Sequence, residues 1–164
     1  MLGAIVGDIV DSVYEFNNTK DYNFHMVTPR SRFTDDTVMT LAVAEWLTED
    51  KTHSESYLIK CMQELGRKYP NVGYGGTFRR WLYRKNPKTY NSWGNGSAMR
   101  VSPVGYFAHN LGETMELAKT SAEVTHHHPE GIKGAQAIAS AIYLARQGKA
   151  KKDIQQYVSD TFDY

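Results

Sequence analysis

The sequence predicts an all-α protein, because apolar residues recur at helical spacing through most of its 164 residues. No stretch shows the alternation of apolar and polar residues, followed by a hairpin turn, that predicts paired strands. Glycine, proline and polar residues concentrate in two long connections, residues 16–33 and 70–97, which separate the helical stretches. With 41% hydrophobic and 23% charged residues, we expect residues 1–164 to form one helical domain.

Six stretches in chain order have this helical periodicity. The first, "GAIVGDIVDSVYEF", has Gly3 and Gly7 four residues apart, which allows another helix to approach closely. The second, "TVMTLAVAEWL", is apolar on nearly all sides, which predicts a central, buried helix. The remaining stretches have one apolar stripe each, with a capping box predicted at Asn110 and an end at Gly148; they cover residues 55–68, 110–124, 130–148 and 151–162.

The composition argues against several classes of function. The formal net charge is +1, so no strong basic field attracts nucleic acid. Cys61 is the single cysteine, which excludes an internal disulfide and a multi-cysteine zinc site and is typical of a reducing compartment. No apolar run approaches the ~18 residues of a membrane span, and the N-terminus lacks the basic leader of a signal peptide. We therefore expect a soluble, cytoplasmic protein without a membrane partner.

The stretch "FTDDTVMT" admits two interpretations. Thr34 suits the N-cap of the buried helix, and Asp35 and Asp36 suit the positive end of its dipole. Phe33 and Val38 have the spacing of a hydrophobic staple. Two carboxylates at the N-terminus of a buried helix cost folding free energy, however, unless they are paired or bound to a cation. Hydroxyl and carboxylate oxygens suit Mg²⁺, so the same residues are candidate metal ligands.

Two other stretches contain candidate ligand groups, each with a structural alternative. In the first helix, Asp8, Asp11 and Glu15 share one face. This face is either exposed to solvent, or its carboxylates add further ligands to the cation site. In "VTHHHPEG", three adjacent histidines cannot point the same way, so a three-histidine metal site is not expected. These histidines either form a polar helix start or include one that bonds a ligand hydroxyl.

A further candidate lies in "SWGNGSAMRVSPVG". The Asn95-Gly96 turn either begins a short helix or presents backbone N–H groups to an anion, with Arg100 nearby. One rival enzyme class can be tested on the sequence directly. Helical phosphohydrolases of the HD type need adjacent histidine and aspartate, and no histidine of this chain is followed by aspartate.

Five stretches, taken in order, resemble the ADP-ribosylglycohydrolase family of the dinitrogenase reductase-activating glycohydrolase type. They are "GAIVGDIVDSVYE", "FTDDTVM", "YGGTF", "SWGNGSAMRVSP" and "THHHPEGIKGAQA". Each is weak alone, but five in sequence are specific, and together they extend over nearly the whole chain. The resemblance implies a compact orthogonal array of helices and two bound Mg²⁺ or Mn²⁺ ions. It also implies hydrolysis of the bond between ADP-ribose and an acceptor such as an arginine side chain.

The resemblance also implies a role for individual residues. The family's metal-binding Thr-Asp-Asp falls on Thr34, Asp35 and Asp36, and its glutamate beside the metal site falls on Glu15. Catalysis is therefore expected from Glu15, Asp35 and Asp36. The family's substrate contacts, which include a glycine turn facing the phosphates, an aromatic near the adenine and a histidine, fall on Gly75, Gly76, Trp93, Asn95, Gly96, Ser97 and His126.

The sequence departs from the family pattern in two places. Asp11 stands where the family usually has glycine, so a charged side chain either crowds the site or adds a ligand. Family members are also expected to continue for about another hundred residues. That part has a Gly-Gly-Asp-x-Asp-Thr motif with the other metal ligands, and "SDTFDY" at the end of this sequence lacks its glycines and spacing. We therefore expect a C-terminally truncated domain.

Three hypotheses follow for function. The first is a metal-dependent hydrolase acting on ADP-ribosylated protein or another ADP-ribose conjugate. The second is a non-catalytic domain that binds ADP-ribose or a nucleotide, since half of the metal site is missing. The third is a structural helical domain completed by another chain, because losing the last helices would expose apolar surface and favour homo-oligomers.

Overall fold

The computed structural model describes residues 1–164 and confirms the prediction of an all-α fold. Backbone pairing of the strand type is confined to isolated bridges from Tyr90 and Asn91 to His126. None of the helices is both long and apolar enough to cross a membrane. The nine helices are α1 (Leu2–Asp11), α2 (Asp35–Glu49), α3 (Glu55–Lys68), α4 (Gly76–Leu82), α5 (Gly96–Met99), α6 (Ser102–Phe107), α7 (Leu111–Glu123), α8 (Pro129–Arg146) and α9 (Lys151–Phe162).

Helix boundaries differ from the sequence prediction in two regions. The first helix ends at Asp11 and turns follow, so Glu15 lies beyond it. The connection predicted over residues 70–97 contains α4, and the short helices α5 and α6 follow from residue 96 onward. These three helices have four to seven residues each, too few to show a periodicity of 3.6.

The core forms around α2, as its apolar sequence predicts. Eight of its fifteen residues are buried, and the indole N–H of fully buried Trp46 donates to the Ser54 carbonyl oxygen at 3.1 Å. Helix α8 is the second centre of packing, since it contacts α5, α6, α7 and α9. Helices α5 and α6 contact both α2 and α8, so they connect the two long helices.

The start of α7 has the side-chain cap that the sequence predicts. Asn110 Oδ1 accepts from the Glu113 N–H at 2.9 Å, as the predicted capping box requires. The Glu113 carboxylate does not return to Asn110, however. It accepts from the backbone N–H of His109 at 2.7 Å, one residue before the cap.

The junction of α6 and α8 requires a residue without a side chain. A Cβ at Gly105 would lie 2.7 Å from Cβ of Ile142 and 2.8 Å from the carbonyl oxygen of Ala139. Arg146 fixes the same junction, since its Nη1 donates to the carbonyl oxygens of Gly105 and Ala108, both at 3.2 Å. The close approach of α6 to α8 therefore depends on Gly105.

Gly105→Ala should destabilise the fold, whereas Gly134→Ala should not. The first change places a methyl group against the backbone of α8, and overpacking of this kind costs about 1–3 kcal/mol. The second is a matched control in the interior of α8, where a new Cβ would meet Ala98 at 3.9 Å and the gain in helix propensity is about 0.5–1 kcal/mol. Urea unfolding of both variants measures the difference, and equal stabilities would contradict this packing.

Candidate active site

The candidate site begins at the first turn of α2. Thr34 is the N-cap, and its Oγ1 accepts from the backbone N–H of Asp36 at 3.3 Å. The backbone N–H of Asp35 donates to the Val72 carbonyl oxygen at 2.9 Å, which ties α2 to the turn before α4. Gly73 in that turn has φ +105°, and a Cβ there would lie 3.3 Å from Asp35 Oδ1. The capping interpretation of this stretch is therefore realised in the fold.

A carboxylate from α1 holds this first turn in place. Asp8 accepts from the Thr34 N–H at 2.8 Å, from Thr34 Oγ1 at 2.5 Å and from the Thr37 N–H at 3.2 Å. The Thr37 hydroxyl also donates to Asp8. Asp8 thus serves as an additional cap on α2, although the sequence only placed it on an acidic face with Asp11 and Glu15. Twenty-six residues separate Asp8 from Thr34, so no local sequence signal reveals the contact.

Burial and neighbouring charge act together on the two aspartates of α2. Burial is the largest cause that raises the pKa of Asp35 to about 6, with smaller contributions from the charges of Glu15 and Asp8. Burial also raises the pKa of Asp36 to about 6, followed by the charge of Asp35 and then the more distant acids, Asp11 among them. The nearby charges are all negative, so a bound cation would relieve their repulsion.

A cavity of about 290 Å³ lies beside this cluster. Six of the residues assigned to the site by resemblance border it: Asp35, Gly75, Gly76, Asn95, Gly96 and His126. They come from the starts of α2, α4 and α5 and from the segment before α8. Tyr90 and Arg100 also line it, and no role at the site was predicted for Tyr90.

Of the other expected residues, Thr34 and Asp36 lie at the start of α2 beside Asp35, and the remaining three lie elsewhere. Glu15 borders a separate cleft of about 740 Å³ between α1 and the following loop, together with Asp11. Ser97 is buried, and its Oγ donates to the Gly131 carbonyl oxygen at 2.7 Å, which fastens α5 to α8. Trp93 is 73% exposed, with its ring 5.7 Å from the ring of His128, outside the cavity lining.

The three adjacent histidines occupy different environments. His126 is 5% exposed, and its Nδ1 lies 2.8 Å from Thr125 Oγ1. Burial, with a further contribution from the positive charge of Arg100, lowers the pKa of His126 to about 3. His127 lies at the surface, 4.0 Å from a Glu123 carboxylate oxygen, and His128 is the N-cap of α8. Only His126 borders the cavity.

The oxygen atoms at the start of α2 are chemically suitable ligands for a hard divalent cation. Thr34, Asp35 and Asp36 offer hydroxyl and carboxylate oxygens, which are the ligands that Mg²⁺ prefers. The two aspartates have no cationic partner within ion-pair distance. No three histidine, cysteine or acidic side chains converge closely enough to hold a metal ion by themselves. A cation here would therefore need ligands beyond this cluster of carboxylates.

Comparison with known proteins identifies the family. The profile of the ADP-ribosylglycohydrolase family matches residues 1–164. The chain belongs to the ADP-ribosylglycohydrolase family. ADP-ribosylhydrolase ARH3 from Homo sapiens is 29% identical over 93% of this chain and 50% of its own length. The same enzyme from Gallus gallus is 31% identical over 80% of this chain and 40% of its own.

A bacterial relative has a more specific name. ADP-ribosylarginine hydrolase Tri1 from Pseudomonas putida (strain GB-1) is 26% identical over 93% of this chain and 47% of its own length. The chain thus spans about half the length of the curated relatives that it matches. The predicted membership of the ADP-ribosylglycohydrolase family is confirmed.

Asp36→Asn should stabilise the protein in chelator, and the effect should grow with pH. Because the folded-state pKa of Asp36 is raised to about 6, its carboxyl favours folding at low pH, and this contribution is lost as pH rises through 6. The gain from Asp36→Asn should therefore be small near about pH 4 and reach its full value above about pH 7.

Urea unfolding across that pH range, in wild type and variant, measures this difference. Asp153→Asn, an exposed change on α9, is the charge-matched control against which the gain from Asp36→Asn is compared. A gain from Asp36→Asn that is constant with pH would show that the carboxylate is not held in a repulsive, partly buried site.

Proposed function

We propose that this chain provides the ligand cavity and the acidic cluster of an enzyme that hydrolyses the glycosidic bond between ADP-ribose and its acceptor. This proposal rests on one observation: four segments that match the family and are separated in sequence, including the one with Asp35, line the same cavity. The acceptor is a protein side chain or another group. The name of the Pseudomonas putida relative makes ADP-ribosylated arginine a first substrate to test.

The shape of the cavity suits a phosphorylated ligand that approaches the backbone closely. Gly75, Gly76 and Gly96 border it without side chains, so an extended diphosphate can lie against their peptide groups. Arg100 adds a buried positive charge to the wall, and Tyr90 adds an aromatic ring. We propose that Asn95 and His126, which come from two separate segments of the chain, bind the same ligand. Trp93 and Ser97 act, in this proposal, by supporting the loop.

We propose that Thr34, Asp35 and Asp36 hold Mg²⁺ or Mn²⁺, and that a complete family member holds two ions. When bound, such an ion polarises a water or a substrate oxygen at the scissile bond. Asp35 belongs to both the acidic cluster and the cavity wall, so it places the carboxylates next to the ligand. Without a cation the pKa values of both carboxyls are raised to about 6. A bound cation would lower them and keep both groups ionised, so that either can accept a proton.

The net reaction adds water across the glycosidic bond. The water oxygen bonds to the anomeric carbon, the bond to the acceptor breaks, and the acceptor leaves with a proton. We assign proton acceptance to Asp35 or Asp36. Glu15 stays a candidate, because its charge affects the pKa of both aspartates even though it borders the neighbouring cleft.

A second candidate function is binding of ADP-ribose without hydrolysis. It is favoured because the cavity has polar and aromatic lining residues for a ligand, whereas no three acidic, histidine or cysteine side chains converge to hold a metal ion. The third hypothesis, completion by another chain, is favoured by α1, which buries none of its residues and exposes Leu2 and Val6. In both cases residues 1–164 would still act as one domain.

A turnover assay distinguishes hydrolysis from the two non-catalytic hypotheses. We expect release of ADP-ribose from arginine-ADP-ribosylated protein in Mg²⁺, loss of release in chelator, and a ~100-fold or greater loss in Asp36→Asn, as for removal of an acid–base group. Asp153→Asn, on exposed α9, is the control and should keep full turnover.

Calorimetry with ADP-ribose completes the test. Binding with no turnover under any metal condition would support the non-catalytic function and reject hydrolysis. If the protein shows neither binding nor turnover, both functions are rejected and completion by another chain is left. Where that chain is a second copy, sedimentation analysis would detect stable self-association.

A further inference from the structure

A chain of hydrogen bonds runs from the protein interior to the cavity. The Arg100 side chain is 1% exposed, and its Nη2 donates to the Ser121 carbonyl oxygen at 2.6 Å and to Thr125 Oγ1 at 2.9 Å. Thr125, which is fully buried, continues the chain to Nδ1 of His126 at 2.8 Å. Arginine N–H groups can only donate, so the direction of the first step is fixed.

The direction of the hydrogen bond between Thr125 and His126 follows from the requirement that the buried Thr125 hydroxyl hydrogen has an acceptor. Its oxygen already accepts from Arg100, and its only other neighbour within hydrogen-bond distance is His126 Nδ1. If Nδ1 carried a proton, both neighbours would be donors and the buried Thr125 hydrogen would have no acceptor. If Nδ1 accepts, the Thr125 hydroxyl both accepts from Arg100 and donates to His126. The ring proton of neutral His126 must then reside on Nε2.

The other ring nitrogen lies next to Gly96, which borders the cavity. His126 Nε2 has no hydrogen-bond partner within the protein, and a Cβ built at Gly96 would lie 3.1 Å from it. A second ring proton is disfavoured, because His126 is buried next to the permanent charge of Arg100, which together lower its pKa to about 3. Gly96 keeps the space in front of Nε2 open, since any side chain there would collide with the ring.

We propose that Arg100 and Thr125 are positioning residues that hold His126 as the neutral Nε2–H tautomer, so that the cavity presents an uncharged donor to an oxygen of the ligand. Such a group donates to a hydroxyl, carbonyl or phosphate oxygen and discriminates against ammonium and guanidinium groups, which are donors only. The identity of that oxygen as one of ADP-ribose rests on the proposed function. The assignment of the tautomer does not depend on it.

The tautomer is measured directly on the full chain with ¹⁵N-labelled histidine. Long-range ¹H–¹⁵N correlation distinguishes a protonated from an unprotonated ring nitrogen, and His126→Gln identifies the signals of residue 126 among the six histidines. We expect one protonated nitrogen, Nε2, and one unprotonated nitrogen, Nδ1, at pH 7. A protonated Nδ1, alone or together with Nε2, would overturn the proposal.

Two variants test the role of Thr125. Thr125→Val removes the hydroxyl and should shift His126 toward a mixture of tautomers, with ADP-ribose affinity weakened by ~3–10-fold, the effect of about one hydrogen bond. Thr125→Ser retains the hydroxyl and should preserve the wild-type spectrum and affinity. An equal loss in both variants would overturn the positioning role.

The outcomes for this inference and for the proposed function are distinct. A wild-type protein that shows the Nε2–H tautomer but binds no ADP-ribose would support the tautomer assignment and reject the proposed ligand. If Thr125→Val fails to fold, the wild-type spectrum and the Thr125→Ser affinity still decide the question.

Discussion

The hydrogen bonds from the first turn of α2 to the carboxylate of Asp8 connect the N-terminal helix to the candidate active site. Asp8 receives two backbone N–H groups and two hydroxyls, from Thr34 and Thr37. A charged acceptor at a helix N-terminus is favoured both by the unpaired N–H groups and by the helix dipole. With these groups occupied by Asp8, the side chains of Asp35 and Asp36 remain unpaired, and their mutual repulsion persists in the folded state.

The part of the cavity lined by α5 and the segment before α8 depends on a different set of buried polar contacts. Ser97 fastens α5 to α8, and Arg100 reaches the end of α7 through the carbonyl oxygen of Ser121. These contacts bring Gly96 against His126 in the lining of the cavity that Asp35 also borders. A site that combines carboxylates without a cationic partner, uncharged donors and a buried guanidinium is suited to a ligand with anionic and hydroxyl groups near a cation.

Local features of this fold were predictable from the sequence, and long-range ones were not. Thr34 as N-cap and α2 as the buried helix follow from neighbouring residues, whereas the proximity of Gly75, Asn95 and His126 to Asp35 was expected only through family resemblance. The cap by Asp8 and the bond from Ser97 to Gly131 join residues 26 or more positions apart, and no periodicity encodes them. Short helices such as α5 depend on packing for their stability, so propensity alone could not place them.

Amide hydrogen exchange in Asp8→Ala, with Asp11→Ala as the control, tests most directly whether Asp8 holds the start of α2. Asp11 is an exposed acid on the same helix and receives no side-chain hydrogen bond from α2. We predict exchange at least about tenfold faster for the Thr34 and Thr37 amides in Asp8→Ala, as expected for loss of a charge-assisted hydrogen bond, and no change in Asp11→Ala. Unchanged protection in Asp8→Ala, or equal loss in both variants, would contradict this account.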